Sequence, residues 1–92
     1  EFRRVLFRSI EHVVENDLKL VKYCCAVYHY EKKEIVLFYE NDAEIADKDF
    51  RKEISKVFPS YMIPSVYIKM DELPRNTNGK IDRLLLKNKV NE

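Results

Sequence analysis

The stretch "VKYCCAVYHYEKKEIVLFYE", residues 21–40, decides the fold. Two runs rich in β-branched and aromatic residues, 21–30 and 34–40, flank the short charged turn Glu31-Lys32-Lys33, and that pattern predicts an antiparallel hairpin. Apolar residues fall on both faces of each run in places, which predicts strands central to a sheet and covered on two sides. Within the first run Cys24 and Cys25 are adjacent, and neighbours on a strand point to opposite faces. They are therefore expected neither to close a disulfide nor to share a metal, and no further Cys or His stands at zinc-type spacing. The pair reads as buried thiols in a reducing cytoplasm. His12 and His29 have no ligand partners at useful spacing and read as surface or half-buried residues, so no metal site is expected.

Outward from the hairpin the chain supplies helices and one more strand. Ile10, Val13, Val14 and Leu18 form a stripe at helical spacing, the tail of a helix over residues 10–18. In "ADKDFRKEISKVF", residues 46–58, Phe50, Ile54, Val57 and Phe58 make an apolar face opposite Lys48, Arg51, Lys52, Glu53 and Lys56. Asp47 is placed to cap this helix, Asp49 adds favourable charge to its first turn, and Pro59 ends it. "SVYIKM", residues 65–70, alternates Val66, Ile68 and Met70 against Tyr67 and Lys69 as a third strand, and "RLLLKNKV" reads as a short closing helix. The fold class is α+β: a small three-stranded sheet, an antiparallel hairpin plus a further strand, with packed helices.

Composition excludes several classes of function. A chain of 92 residues makes one small domain at most, and a single glycine with three prolines leaves no room for a flexible linker. Its apolar runs are far too short to cross a bilayer, and no membrane role is expected. The first nine residues, "EFRRVLFRS", match the in-frame translation of a short-read sequencing adapter, GAG TTC AGA CGT GTG CTC TTC CGA TCT. They are expected to be a non-native scar that stands outside fold and targeting arguments; the competing reading is a basic amphipathic arm or transit peptide. The formal net charge of +1 depends on them: they hold one glutamate and three arginines, a net +2, so residues 10–92 carry −1. Lysines alternate with acids along that remainder, a solvated mixed surface without the basic stripe that nucleic-acid binding requires.

One segment is left unexplained by periodicity. "DELPRNTNGKID", residues 71–82, holds the only glycine. Asn78-Gly79 is the strongest dipeptide for a type I′ turn, in which both central residues take positive φ. By itself that is a turn and no more.

Read with its neighbours, the segment takes on a further meaning. "FPSYMIP" (58–64), "ELP" (72–74) and "NGKIDR" (78–83) resemble, in content, order and spacing, the C-terminal subdomain of the acyl-adenylate-forming enzymes. The branch they most resemble comprises the amino-acid adenylation domains of non-ribosomal peptide synthesis and the D-alanine:carrier-protein ligases, with "LPxYMxP" and "LPxxxNGKxDR" segments. Phe58 stands where that family usually has Leu, and Ile10-Glu11 fits the end of its "GEIE" helix start. The resemblance spans residues 10 to about 88.

Much follows if the resemblance holds. Lys80 is then the catalytic lysine that contacts both carboxylate and nucleotide in the adenylation step, with Asn78 and Gly79 positioning it; the bland alternative is a solvated lysine paired with Asp82. Asp82 and Arg83 would order the loop without a catalytic role, while Tyr61 and Met62 would pack the strand entrance. ATP and Mg2+ would be cofactors bound mainly by an N-terminal adenylation subdomain of the same chain, a phosphopantetheine thiol on a carrier protein the acceptor, and a small carboxylic or amino acid the substrate. Residues 10–92 would be a lid subdomain, cut at its N-terminal hinge and inactive alone, since a phosphate cradle needs glycines or free amides that one glycine does not supply. The alternatives are the same subdomain of an acyl-CoA synthetase, or a non-catalytic interaction module.

Overall fold

A computed structural model describes residues 2–92; Glu1, the first residue of the stretch matched to the adapter, lies outside them. Helix α1 runs Phe2–His12 and passes into a π-helical turn, Val13–Asp17. Strands β1 (Tyr23–His29) and β2 (Glu34–Glu40) follow, then helix α2 (Asp47–Ser55), a 3-10 turn at Ser60–Met62, strand β3 (Val66–Met70) and helix α3 (Arg83–Val90).

The sheet order is β1-β2-β3. β1 and β2 pair antiparallel, from Tyr23 against Glu40 to His29 against Glu34, as the hairpin pattern requires. β3 returns parallel to β2, Val66 opposite Val36 and Met70 opposite Glu40, because α2 carries the chain back across the sheet first. Only β2 is central, so the expectation that both hairpin strands are interior is corrected. β1 is an edge whose two faces are nevertheless covered.

Burial follows the strand period of two. Cys24, Ala26, Leu37 and Tyr39 face Ile10 and Val14 of α1 and its continuation and Phe50 and Ile54 of α2. Cys25, Val27, Val36 and Phe38 face Leu73 and Leu86 on the opposite side. The adjacent cysteines thus belong to different cores, both free and buried. On the α2 side the aromatic rings interlock: Phe50 lies edge-on to Tyr39 at 4.9 Å and stacks on Tyr67 at 4.6 Å.

Several local expectations change. Ala46 precedes α2 without a side-chain cap, and Asp47 is already inside the first turn, where it serves the helix dipole instead. Val57 lies beyond the end of α2 and is exposed, while Phe58 packs against the core as expected. In β3, Tyr67 is buried against Phe50 on the α2 side, and on the opposite face Val66 and Met70 pack against the second core while Ile68 between them is exposed. Tyr61 is 77% exposed and packs no strand entrance, whereas Met62 is half-buried. The adapter-like stretch joins the fold: Phe7 is buried and Leu6 packs against the same core. Phe7 falls three residues before Ile10, in frame with the helix's apolar stripe, so α1 extends through it.

The edge of β1 is satisfied by side chains. The N–H of Cys24 donates to Glu15 Oε2 at 2.8 Å and that of Ala26 to Glu11 Oε2 at 2.6 Å. Four residues of helix advance about 6 Å and two residues of strand about 6.6 Å. A helix antiparallel to the edge therefore matches one carboxylate to each outward N–H. Farther along, Asn91 caps the C-terminal end of α3 and clips β1, its Nδ2 donating to the Tyr28 carbonyl and its Oδ1 accepting from the Tyr30 N–H, both at 2.9 Å.

Two measurements test this core. Burial, then the repulsion of Glu15 and Glu11, raises the Cys24 thiol; burial pushes Cys25 up to about 12, with Arg83 opposing. Both thiols should resist alkylation at pH 8 until the chain unfolds. Because the folded thiols titrate above the ordinary 9.0, the stability they contribute is complete below about pH 9 and declines as pH rises toward 12. Secondly, the buried Tyr67 hydroxyl finds no hydrogen-bond partner among the described residues. Tyr67→Phe should stabilise the fold by about 1 kcal/mol in urea denaturation; a loss of stability would show that the hydroxyl is satisfied.

Candidate functional site

Lys80 rides on a small hairpin that the core holds only at its roots. On the incoming leg Leu73 is fully buried and its N–H donates to Glu40 Oε1 at 3.0 Å. On the outgoing leg the Asp82 N–H returns to the Pro74 carbonyl at 2.8 Å, and Arg75 bridges Ile81 between them. The Arg75 guanidinium lies 4.7 Å from the Tyr23 ring, a cation–π contact on the sheet's first strand.

The tip is not the type I′ turn expected from Asn-Gly. Asn78 does not have positive φ; Gly79 does, at 81°. The Gly79 N–H closes on the Asn76 carbonyl at 3.0 Å and the Asn76 N–H on the Lys80 carbonyl at 2.8 Å. That is a type I turn over 76–79 ending in a left-handed glycine, the usual three-residue hairpin loop. Asn76 organises it: its Oδ1 accepts from the N–H of Asn78 at 2.9 Å and of Lys80 at 3.1 Å. Sequence reasoning passed over Asn76, although an Asn two residues ahead of a turn is a recognised Asx-turn signal.

The loop's amides are thus spent internally. Those of Asn78, Gly79 and Lys80 all point at Asn76, so the turn offers no nest of free N–H groups to an anion. What it offers is the Lys80 side chain, exposed and in no ion pair among the described residues. Asp82, the partner in the bland reading, is occupied instead as the cap of α3, its Oδ1 accepting from the Leu85 N–H at 3.1 Å. Nor do three or more His, Cys, Asp or Glu side chains gather as a metal set among the described residues.

Arg83 ties the outgoing root to the body. Its Nη1 donates to the Ala26 carbonyl at 2.6 Å and its Nη2 to Glu11 Oε1 at 2.8 Å. Burial disfavours the guanidinium's charge, but the hydrogen bond and the charge of Glu11 outweigh it, and its pKa stands above the ordinary value. With side-chain exposures of 14% and 38%, this pair is far better shielded than Lys22–Asp42 at 56% and 87%. It is the charged contact here with the most structural weight.

The chain has known relatives. It is 43% identical over 54 residues to surfactin synthase subunit 1 of Bacillus subtilis, a match covering 59% of this chain and 2% of that protein. It is 30% identical over 87 residues to the nonribosomal peptide synthetase kk1B of Curvularia clavata, covering 87% of this chain and 1% of that protein. Among solved structures it resembles Klebsiella oxytoca NpsA in complex with 3-hydroxyanthranilyl-AMSN, with a TM-score of 0.77 at 28% identity, over 91% of this chain and 17% of that one. The chain therefore spans only 1–2% of the length of these curated relatives. No family model matches it.

The tip geometry has a direct test. A Cβ on Gly79 would meet nothing within 4 Å, so Gly79→Ala carries only the backbone cost of φ near +81°, about 1–2 kcal/mol. Because the hairpin stands off the core, urea denaturation of the whole chain should register less than that, while the amide resonances of residues 76–80 shift. A full loss of about 2 kcal/mol in global stability would show that the tip unfolds only together with the rest of the chain.

Proposed function

The chain belongs to the acyl-adenylate-forming enzyme superfamily as its C-terminal subdomain, and on that premise we propose that it is the lid of an ATP-dependent ligase. The substrate is an amino acid or other small carboxylic acid, and the second acceptor is a phosphopantetheine thiol on a carrier protein. The observation that carries this reading is Lys80: an exposed cation, in no ion pair among the described residues, at the tip of a turn whose Asn78, Gly79 and Lys80 amides are taken by Asn76.

The chemistry explains why such a residue is wanted. A substrate carboxylate attacks the α-phosphorus of ATP, pyrophosphate leaves, and an acyl-adenylate forms; the thiol then displaces AMP. Two anions must meet in the first step, and charge grows on the phosphate oxygens as they do. A lysine on a long stem brings a compact charge to both from outside. The turn holds the base of that stem with Asn78 and Gly79, which is positioning. In this reading ATP and Mg2+ are bound mainly by an N-terminal subdomain, and the Lys80 turn, whose Asn78, Gly79 and Lys80 amides are taken by Asn76, contributes the lysine's charge. The 92 residues alone then catalyse nothing.

Carrier-protein transfer is favoured over coenzyme A by the sequence matches to surfactin synthase and to the kk1B synthetase. Ile81-Asp82-Arg83 after the lysine is the pattern of that branch. Residues 10–92 form the lid subdomain, and residues 1–9 are a translated adapter whose Leu6 and Phe7 fall in the helix frame. The working compartment is the cytoplasm, in keeping with two buried free thiols.

In the full-length ligase carrying this subdomain, Lys80→Ala should lower acid-dependent pyrophosphate exchange by about 100-fold or more. The melting temperature should not move, since the side chain is exposed. Exchange within a few-fold of the unaltered enzyme would refute the role.

A further inference from the structure

Glu11 and Arg83 lie 72 positions apart and meet over a single residue of β1, Ala26. Glu11 Oε2 accepts from the Ala26 N–H, the Ala26 carbonyl accepts from Arg83 Nη1, and Arg83 Nη2 donates to Glu11 Oε1, at 2.6, 2.6 and 2.8 Å. The three hydrogen bonds close a ring. It joins α1, the edge of β1 and the first residue of α3, and that first residue stands three positions after Lys80.

The ring sits where the Lys80 hairpin most needs an anchor. Residues 75–80 are all exposed, so apart from the Arg75 contact with the Tyr23 ring the orientation of the tip is set by its two roots. The incoming root is held by buried Leu73 and Glu40. The outgoing root is held by half-buried Ile81, the Asp82–Pro74 bond and Arg83. α3 does not depend on Arg83 for its place, since Leu86 is buried under it and Asn91 clips its far end to β1. Loss of the ring should therefore leave the helix docked and release its N-terminal end with the lysine turn attached.

We propose that Glu11 and Arg83 are positioning residues for the adenylation step, acting through Lys80: the ring fixes the root of its hairpin against the sheet. This inference rests on the role given to Lys80 above. Neither residue contacts substrate in it. Their action is geometric, and a misplacement of about 1 Å in such a group can lower turnover on the order of 100-fold.

Glu15 supplies the control. It caps the neighbouring outward N–H, that of Cys24, at 2.8 Å, in the same way as Glu11, but touches nothing in the Lys80 hairpin. In the full-length ligase, Glu11→Gln and Arg83→Gln should each lower kcat of pyrophosphate exchange about 10-fold or more, with KM for ATP changed less than about 3-fold. The double variant should be no worse than the poorer single one. Arg83→Lys should recover part of the rate, and Glu15→Gln should leave kcat unchanged below the melting temperature. In the 92-residue chain, Glu11→Gln should speed exchange of the Asp82 amide about 10-fold while the β2 amides keep their protection.

The outcomes separate cleanly. If Lys80→Ala is active, the proposed function itself fails. If Lys80→Ala is inactive while Glu11→Gln turns over normally, or while Glu11→Gln and Glu15→Gln lose rate equally, only the positioning role is overturned. Should Glu11→Gln fail to fold in the ligase, Arg83→Lys decides: full kcat together with unchanged Asp82 exchange overturns the proposal, and a kcat loss with faster exchange supports it.

Discussion

A strand at the border of a sheet leaves every second N–H and C=O without a partner, and the way β1 resolves that need organises the molecule. Two carboxylates from α1 and its continuation, one guanidinium and one terminal amide take the outward groups of Cys24, Ala26, Tyr28 and Tyr30. The caps come from the helix preceding β1 and from the far end of the chain, so satisfying the edge also ties α1 and both ends of α3 to it. A single polar requirement thereby ties one helix on each side of the sheet to the same edge.

The apolar requirement runs at right angles to it. Because β1 and β2 are apolar on both faces, the sheet must be covered twice, and α1 with α2 covers one side while Leu73 and α3 cover the other. The crossover through α2 makes β3 parallel, and Phe50 of α2 then stacks on Tyr67 in the interior. The two cores divide the adjacent cysteines between them and keep both thiols neutral.

Against this rigid background the Lys80 hairpin is built to present one charge. Asn76 takes the amides of Asn78, Gly79 and Lys80, Asp82 is used by α3, and Arg83 is drawn into the body. The lysine is what remains, projecting from a turn with two held roots. The physical content of the proposed lid is this combination of a held base and an exposed lysine in no ion pair among the described residues.

Much of this was legible in the residues. The period-two apolar pattern of 21–40 specified the hairpin and the opposite facing of Cys24 and Cys25, since strand geometry alone dictates both. "RLLLKNKV" specified α3 to the residue, and the spacing of "FPSYMIP", "ELP" and "NGKIDR" specified the family. These are local or linear properties, encoded in neighbouring side chains. The tertiary structure alone decided what depends on distant partners. Tyr67 was buried because Phe50 of α2 stacks on it, and β1 became an edge because β3 chose the other side of β2. Glu11 and Arg83, unremarkable apart, acquired a joint role only when folding brought both to Ala26: hydrogen bonds are short-ranged, and no spacing along the chain announces which distant groups will meet.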